Sequence, residues 1–145
     1  MNLSQRSSRP DHGASLVEFA LLAPFLILLL LGIIEFGYFL GEFNDVRHGA
    51  REGARLAAVN AGDNGLLLDG TCGAMDLTSN VEVLFHDGPS GSAGDTGSIR
   101  VVATPDSLSG LGIIEMFLPN SLQSTIEFRL EQDSDGWGDF GPTSC

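Results

Sequence analysis

Two carboxylates interrupt an uncharged stretch near the N-terminus: Glu18 and Glu35 are the only charges between residues 14 and 40. An Asp, Lys or Arg at the centre of a membrane helix costs about 2.5–3.5 kcal/mol on insertion scales, and less near an interface. An ionisable group inside such a run is therefore a functional candidate from the outset. The chemistry open to Glu18 is pairing with a cation. Catalytic arrangements are missing. His12, His48 and His86 fall in a polar leader, on a helix and in a strand. Gly88-Pro-Ser-Gly-Ser92 breaks the nucleophile-elbow pattern at its last position, and neither a Walker loop nor an HExxH pair occurs. Asp133, Asp135 and Asp139 resemble part of a calcium loop, but Gly136 is misplaced and the distal Glu is lacking. A solvated acidic loop is the expected reading there. No catalytic, cofactor or metal site is expected, and an enzyme has no constellation to rest on.

Cys72 and Cys145 form neither a CxxC pair nor a Cys/His cluster. They are either two unrelated thiols or, in an oxidising compartment, one disulfide. A bridge would close a loop of roughly 74 residues, worth on the order of 4 kcal/mol in the chain-entropy picture.

The elements that must position these groups follow from periodicity. Residues 1–12 are polar, have no apolar period and read as a leader without a core. Leu16 to Leu40 is long enough to span a bilayer. Glu18 and Glu35 are about 25 Å apart along a helix axis, near opposite membrane faces. A cleaved secretory signal would need a shorter apolar core and a small-x-small site, so the run reads as an anchor. Pro24 removes one helical hydrogen bond, and Gly32 and Gly37 offer small surfaces to another helix. The helix continues through residues 42–61, with Arg47, Arg51 and Arg55 on one face. Val46, Ala50, Ala54, Ala57 and Ala58 form a small-residue face beside it. The arginines are either solvated, or they dock with the small residues against neighbouring copies or lipid headgroups. Gly62-Asp-Asn-Gly65 stops the helix.

Beyond it the period changes to two. Val81, Val83 and Phe85 alternate within residues 80–86, residues 98–104 read as a second strand, and Ile126, Phe128 and Leu130 alternate within residues 124–131. Residues 88–97 are a Gly/Ser-rich connection that would not order unaided. The stretch from Asp106 to Pro119 reads as a short helix or helical turn, and Asp133 to Cys145 as a loop. The expected fold is α+β: a long transmembrane helix extending into a small antiparallel sheet of about three strands. The expected divisions are a leader at 1–13, the helix at 14–62 and a β-rich domain at 63–145.

The net charge of −12 comes from 19 acids against seven basic residues. No segment supplies the basic stripe a nucleic-acid binder needs. Arg6 and Arg9 on one side of the apolar run and Arg47, Arg51 and Arg55 on the other leave the orientation undecided by charge.

Gly13-Ala-Ser-Leu-Val-Glu18-Phe19 is similar to the processing site of type IV prepilins, with Gly before the cut and Glu five residues after it. The run from Gly13 through Pro24 and the later Ala50-Arg-Glu-Gly-Ala-Arg55 resemble TadE-like proteins, the minor pilins or pseudopilins of Tad (Flp) pilus systems, over about residues 13–60. The resemblance implies cleavage between Gly13 and Ala14 by a membrane-embedded prepilin peptidase, with Glu18 and Phe19 serving recognition and assembly. The freed amine of Ala14 becomes the cation for Glu18, in a neighbouring subunit. The partners it implies are other Tad pilus subunits, platform proteins and the membrane. The place it implies is the cytoplasmic (inner) membrane, crossed once, with the C-terminal domain outside and incorporation into an extracellular pilus open. Pilus roles of this kind include secretion, adhesion and DNA uptake. Pairing of Cys72 with Cys145 fits such a domain. The competing reading is an unprocessed bitopic membrane protein whose outer domain binds a partner.

Overall fold

The computed structural model describes residues 12–59, 63–108, 110, 116, 118–134 and 138–145. It is α+β, with one long helix leading into a four-stranded antiparallel sheet. The chain forms two compact units, residues 1–34 and residues 35–145. Helix α1 (His12–Val59) is a single element that runs through Pro24. In the first unit its side chains are bare: Leu16, Phe19, Phe25, Leu29 and Ile33 are all more than half exposed. This helix is long and apolar enough to cross a membrane, and none of its most apolar stretch is buried.

The second unit holds the rest of α1, a short helix α2 (Asn64–Cys72) and the sheet. Val46, Ala50, Ala54 and Ala57 recur on one face of α1 and are buried against Val81, Val83 and Phe85 of β1 (Val81–His86). Ile99, Val101 and Ala103 of β2 (Thr96–Ala103) complete the layer. The small-residue face of α1 is thus covered by the chain's own sheet. Arg47, Arg51 and Arg55 remain exposed; Arg47 lies over the Phe43 ring at 5.5 Å and Arg55 pairs with Glu52 at 2.5 Å.

The sheet order is β3-β2-β1-β4, with β3 spanning Leu122–Arg129 and β4 spanning Phe140–Ser144. β2 pairs along its length with β1 (Val83 opposite Val101) and with β3 (Ile99 opposite Ile126). Three strands match the expected alternation, with Val81, Val83 and Phe85 inward. The fourth is a correction: residues 133–145, expected as a loop, contain the strand β4. β4 pairs with β1 across a bulge between Val83 and Phe85. The Phe140 ring stacks on Phe85 at 4.8 Å, and the Cys145 N–H donates to the Val81 carbonyl at 3.0 Å. Pro142 is tolerated because β4 is an edge strand. A disulfide joins Cys145 to Cys72 at the end of α2, with Cα atoms 5.7 Å apart and a sequence separation of 73.

Helix α2 was not read from the sequence. Among the turn residues after α1, Asp63 starts this helix, its Oδ1 accepting from the Leu66 N–H at 3.0 Å. Leu67 and Thr71 are buried beneath it. The Gly/Ser-rich connection is ordered by partners outside it. Asp133 Oδ1 accepts from the Ala93 N–H at 2.7 Å, the Leu130 carbonyl from the Gly94 N–H at 2.8 Å, and the Gly91 carbonyl from the Ser134 N–H at 2.7 Å. The short helix expected after Asp106 lies largely outside the described residues.

Candidate functional site

Five acidic side chains line the described length of α1, and four are engaged within the chain. Glu35 is buried, and its Oε1 accepts from the Leu108 N–H at 3.0 Å. Seven residues on, two turns along the same face, Glu42 is fully buried and its Oε1 accepts from the Asp106 N–H at 3.1 Å. Asp45 gathers the loop after α2: its carboxylate accepts from the N–H groups of Asp76, Leu77 and Thr78 and from Thr78 Oγ1, at 2.9–3.2 Å. Glu52 pairs with Arg55. These carboxylates meet backbone amides because the connecting loops have donors that no strand uses.

Their electrostatics differ. Burial pushes the Glu42 carboxyl above its ordinary value; the Asp106 amide opposes this, while the nearby charges of Asp106, Asp45 and Glu35 reinforce it. Its second oxygen, Oε2, is buried without a hydrogen-bond partner among the described residues. For Asp45 burial again pushes upward, but the amides of Leu77, Asp76 and Thr78 and the Thr78 hydroxyl outweigh it and hold the group low.

Glu18 is the exception. It is exposed and meets no partner among the described residues. Gly13, Ala14 and Phe19 are exposed with it in the first turns of α1, and a side chain at Gly13 would meet open space. Ala14 stands one turn before Glu18, about 6 Å along the axis and on the same face. An exposed, unpaired carboxylate and an exposed Gly–Ala bond thus share one end of the helix.

Residues 13–55 match the model of a family described as TadE-like protein. Over that segment, about a third of its length, the chain is similar to TadE-like proteins. The match takes in α1 from the Gly–Ala bond through the three arginines, with Val46, Ala50 and Ala54 of the packed face. No curated protein and no solved structure matches the chain. The TadE-like segment relates the chain to Tad pilus systems, a structural rather than an enzymatic setting, and the apolar helix fits a single-pass membrane protein.

Of the acids suspected of calcium binding, Asp133 caps the Gly/Ser loop, and Asp139 accepts from the Asp87 N–H at 3.2 Å and contacts His86 Nδ1. Asp135 lies outside the described residues. His86, Asp87 and Asp139 bring ligand-type atoms within 4.8 Å of one another. They are already engaged in holding the loop, Asp87 Oδ2 accepting from Ser134 Oγ at 2.7 Å. Sequence reasoning missed the roles of Glu42 and Asp45. The burial of Glu42 follows from its seven-residue step from buried Glu35 on the packed face, which periodicity could have flagged.

Proposed function

We propose that this chain is a minor pilin or pseudopilin of a Tad (Flp) pilus, matured by prepilin peptidase cleavage between Gly13 and Ala14. The observation that carries the reading is the isolation of Glu18. Each of the other described acids of α1 has a partner inside the chain, so the charge at the start of the apolar run is left for a partner elsewhere. Cleavage creates an ammonium at Ala14, and the ammonium of one subunit with the Glu18 of the next would relieve each other's desolvation cost on assembly. The bare apolar surface of residues 16–34 then packs against sister helices. The chain contributes structure, with no chemical step of its own.

Intact mass of the membrane-extracted chain tests the reading. Ala14 as first residue, with unprocessed chain accumulating in Gly13→Leu, supports it; a mature chain that starts at Met1 refutes it and favours the bitopic anchor. Glu18→Ala is expected to be cleaved normally and to lower pilus assembly.

A further inference from the structure

We infer that the outer edge of β3 is a pairing surface for a second copy of this chain, the two strands running antiparallel about Ile126. The geometry lies wholly within the second unit. β3 pairs with β2 along its whole length without a bulge, from Thr96 opposite Arg129 to Ala103 opposite Leu122. Among the described residues no strand lies on its other side. Which backbone groups are left over follows from Leu130, the residue just past the strand. Its N–H donates to the Asp95 carbonyl at 2.9 Å and its carbonyl accepts from the Gly94 N–H at 2.8 Å, so Leu130 turns its backbone toward β2. Backbone groups alternate sides along a strand. Ser124, Ile126 and Phe128 therefore bond to β2, while Gln123, Thr125, Glu127 and Arg129 point their N–H and C=O groups out from the sheet. Glu131, next in that series, agrees: its N–H turns away from β2 to the Ala58 carbonyl at 2.8 Å.

The two edges of the sheet are not equivalent. β4 carries Pro142, pairs across a bulge and is followed by the bridged Cys145, devices that blunt an edge. β3 has no proline, bulge or lysine, and its outward groups form an open template for another strand. Charge identifies the occupant. The chain carries 19 acids against seven basic residues, so two copies repel over most of their surface. β3 holds only Glu127 and Arg129 as charges and is neutral as a strand. A closed pair of identical strands must be antiparallel. Centred on Ile126, Gln123 faces Arg129 of the second copy and Thr125 faces its Glu127. Every outward backbone group then meets a partner, and no like charges stand directly opposite. On the inner face Ile126 and Phe128 are only partly buried where the core layer ends. In the pair Ile126 meets its own counterpart and Phe128 lies beside it, extending that layer. The contact is separate from any packing of the apolar helix.

Amide hydrogen exchange of the purified full chain in excess detergent, read residue by residue over about a hundredfold dilution, tests the pairing. Ile126 and Phe128 should be protected at every concentration by β2. Thr125 and Glu127 should exchange at least about tenfold more slowly at the highest concentration than at the lowest. Thr125→Pro removes one outward N–H and no bond to β2. It should abolish protection at Glu127 and leave Ile126 and Phe128 protected, which shows that the strand is intact. Free exchange at Thr125 and Glu127 at every concentration overturns the inference, because no second copy then occupies the edge. Protection that does not change on dilution also overturns it, because the chain itself must then cover the edge. If the proline variant loses its protection by β2, cysteine substitution decides. Mild oxidation should link two copies of Ile126→Cys, which stand opposite, and not two copies of Gln123→Cys, which lie about 20 Å apart along the paired strands. Linkage of both variants, or of neither, overturns the pairing.

Discussion

Replacing Glu42 with Gln should stabilise the second unit at neutral pH, although Glu42 is buried and hydrogen-bonded. Its Oε1 holds the Asp106 amide at 3.1 Å, yet Oε2 is buried without a partner among the described residues, and the charges nearby are Asp106, Asp45 and Glu35. Glu42 lies two residues beyond Leu40, where the apolar span ends. Burial raises its pKa, with the acidic neighbours adding to the effect and the Asp106 amide only partly opposing it. The net upward shift means the fold favours the protonated form. Between the ordinary glutamate value of about 4.3 and the raised value, the folded state binds more protons than the unfolded one, so the charge lowers stability as pH rises through that window. A neutral amide can keep the Asp106 bond and removes the unsatisfied charge. The Gln Nε2 takes the unpartnered place of Oε2, so the gain comes from removing a buried charge among acidic neighbours; about 1 kcal/mol near pH 7 is expected once the weaker bond to a neutral acceptor is deducted. Pulse proteolysis of the micelle-solubilised full chain in urea, from pH 4.5 to 8, measures this as a shift in midpoint. The gain should shrink toward pH 4.5, where wild-type Glu42 also becomes neutral. A uniform loss of stability at every pH would refute the reasoning, because it would mean that the charge has a favourable partner.

The neighbouring acid should respond in the opposite sense. Asp45→Asn is expected to lose about 1–2 kcal/mol near pH 7, discounted for partial exposure. Because the Asp45 pKa is lowered, its contribution is present above the ordinary aspartate value and fades as pH falls below it; the same proteolysis series read toward pH 3 checks this. On the packed face of α1, Gly53→Ala drives a methyl into Ile99 and Thr71, both fully buried. It should cost about 1–2 kcal/mol despite better helix propensity. Gly49→Ala meets the flexible end of Met75 at 2.5 Å and should stay within about 1 kcal/mol of wild type, so equal effects in urea unfolding would contradict the packing described. Reduction of the Cys72–Cys145 bridge should lower stability by about 4 kcal/mol and release amide protection first along β4, read by hydrogen exchange.

Much of the fold is written in residue periods. Alternation at Val81–Val83–Phe85 and Ile126–Phe128 locates strands because one sheet face is buried against Val46, Ala50 and Ala54. β4 has no such pattern: Phe140-Gly-Pro-Thr-Ser144 is held by pairing with β1, by the Phe85–Phe140 stack and by the bridge to Cys72. All are long-range, so no local pattern announces them. The same holds for α2, whose nine residues are too few for a clear period. At the N-terminal end, the Gly13–Phe19 pattern is local and legible in full, whereas the tethering by Glu35, Glu42 and Asp45 depends on which loops fold back onto the helix.

That contrast bears on how subunits could meet. In the sequence, the alanine face of residues 46–58 and the apolar run of residues 16–40 are both candidates for packing against sister helices. The structure commits the alanine face to the chain's own sheet, with Val46, Ala50 and Ala57 fully buried, so a neighbour could reach it only by displacing β1 and β2. The three arginines are exposed beside it, and like charges facing one another across a helix pair would oppose association. On the proposed pilin reading, lateral packing would therefore use the bare apolar surface that begins beside Glu18. An Asn at exposed Leu26 should disturb assembly, whereas alanine at exposed Arg51 should not. Assembly lost in the Arg51 variant and retained in the Leu26 variant would reverse the assignment of the two halves of α1.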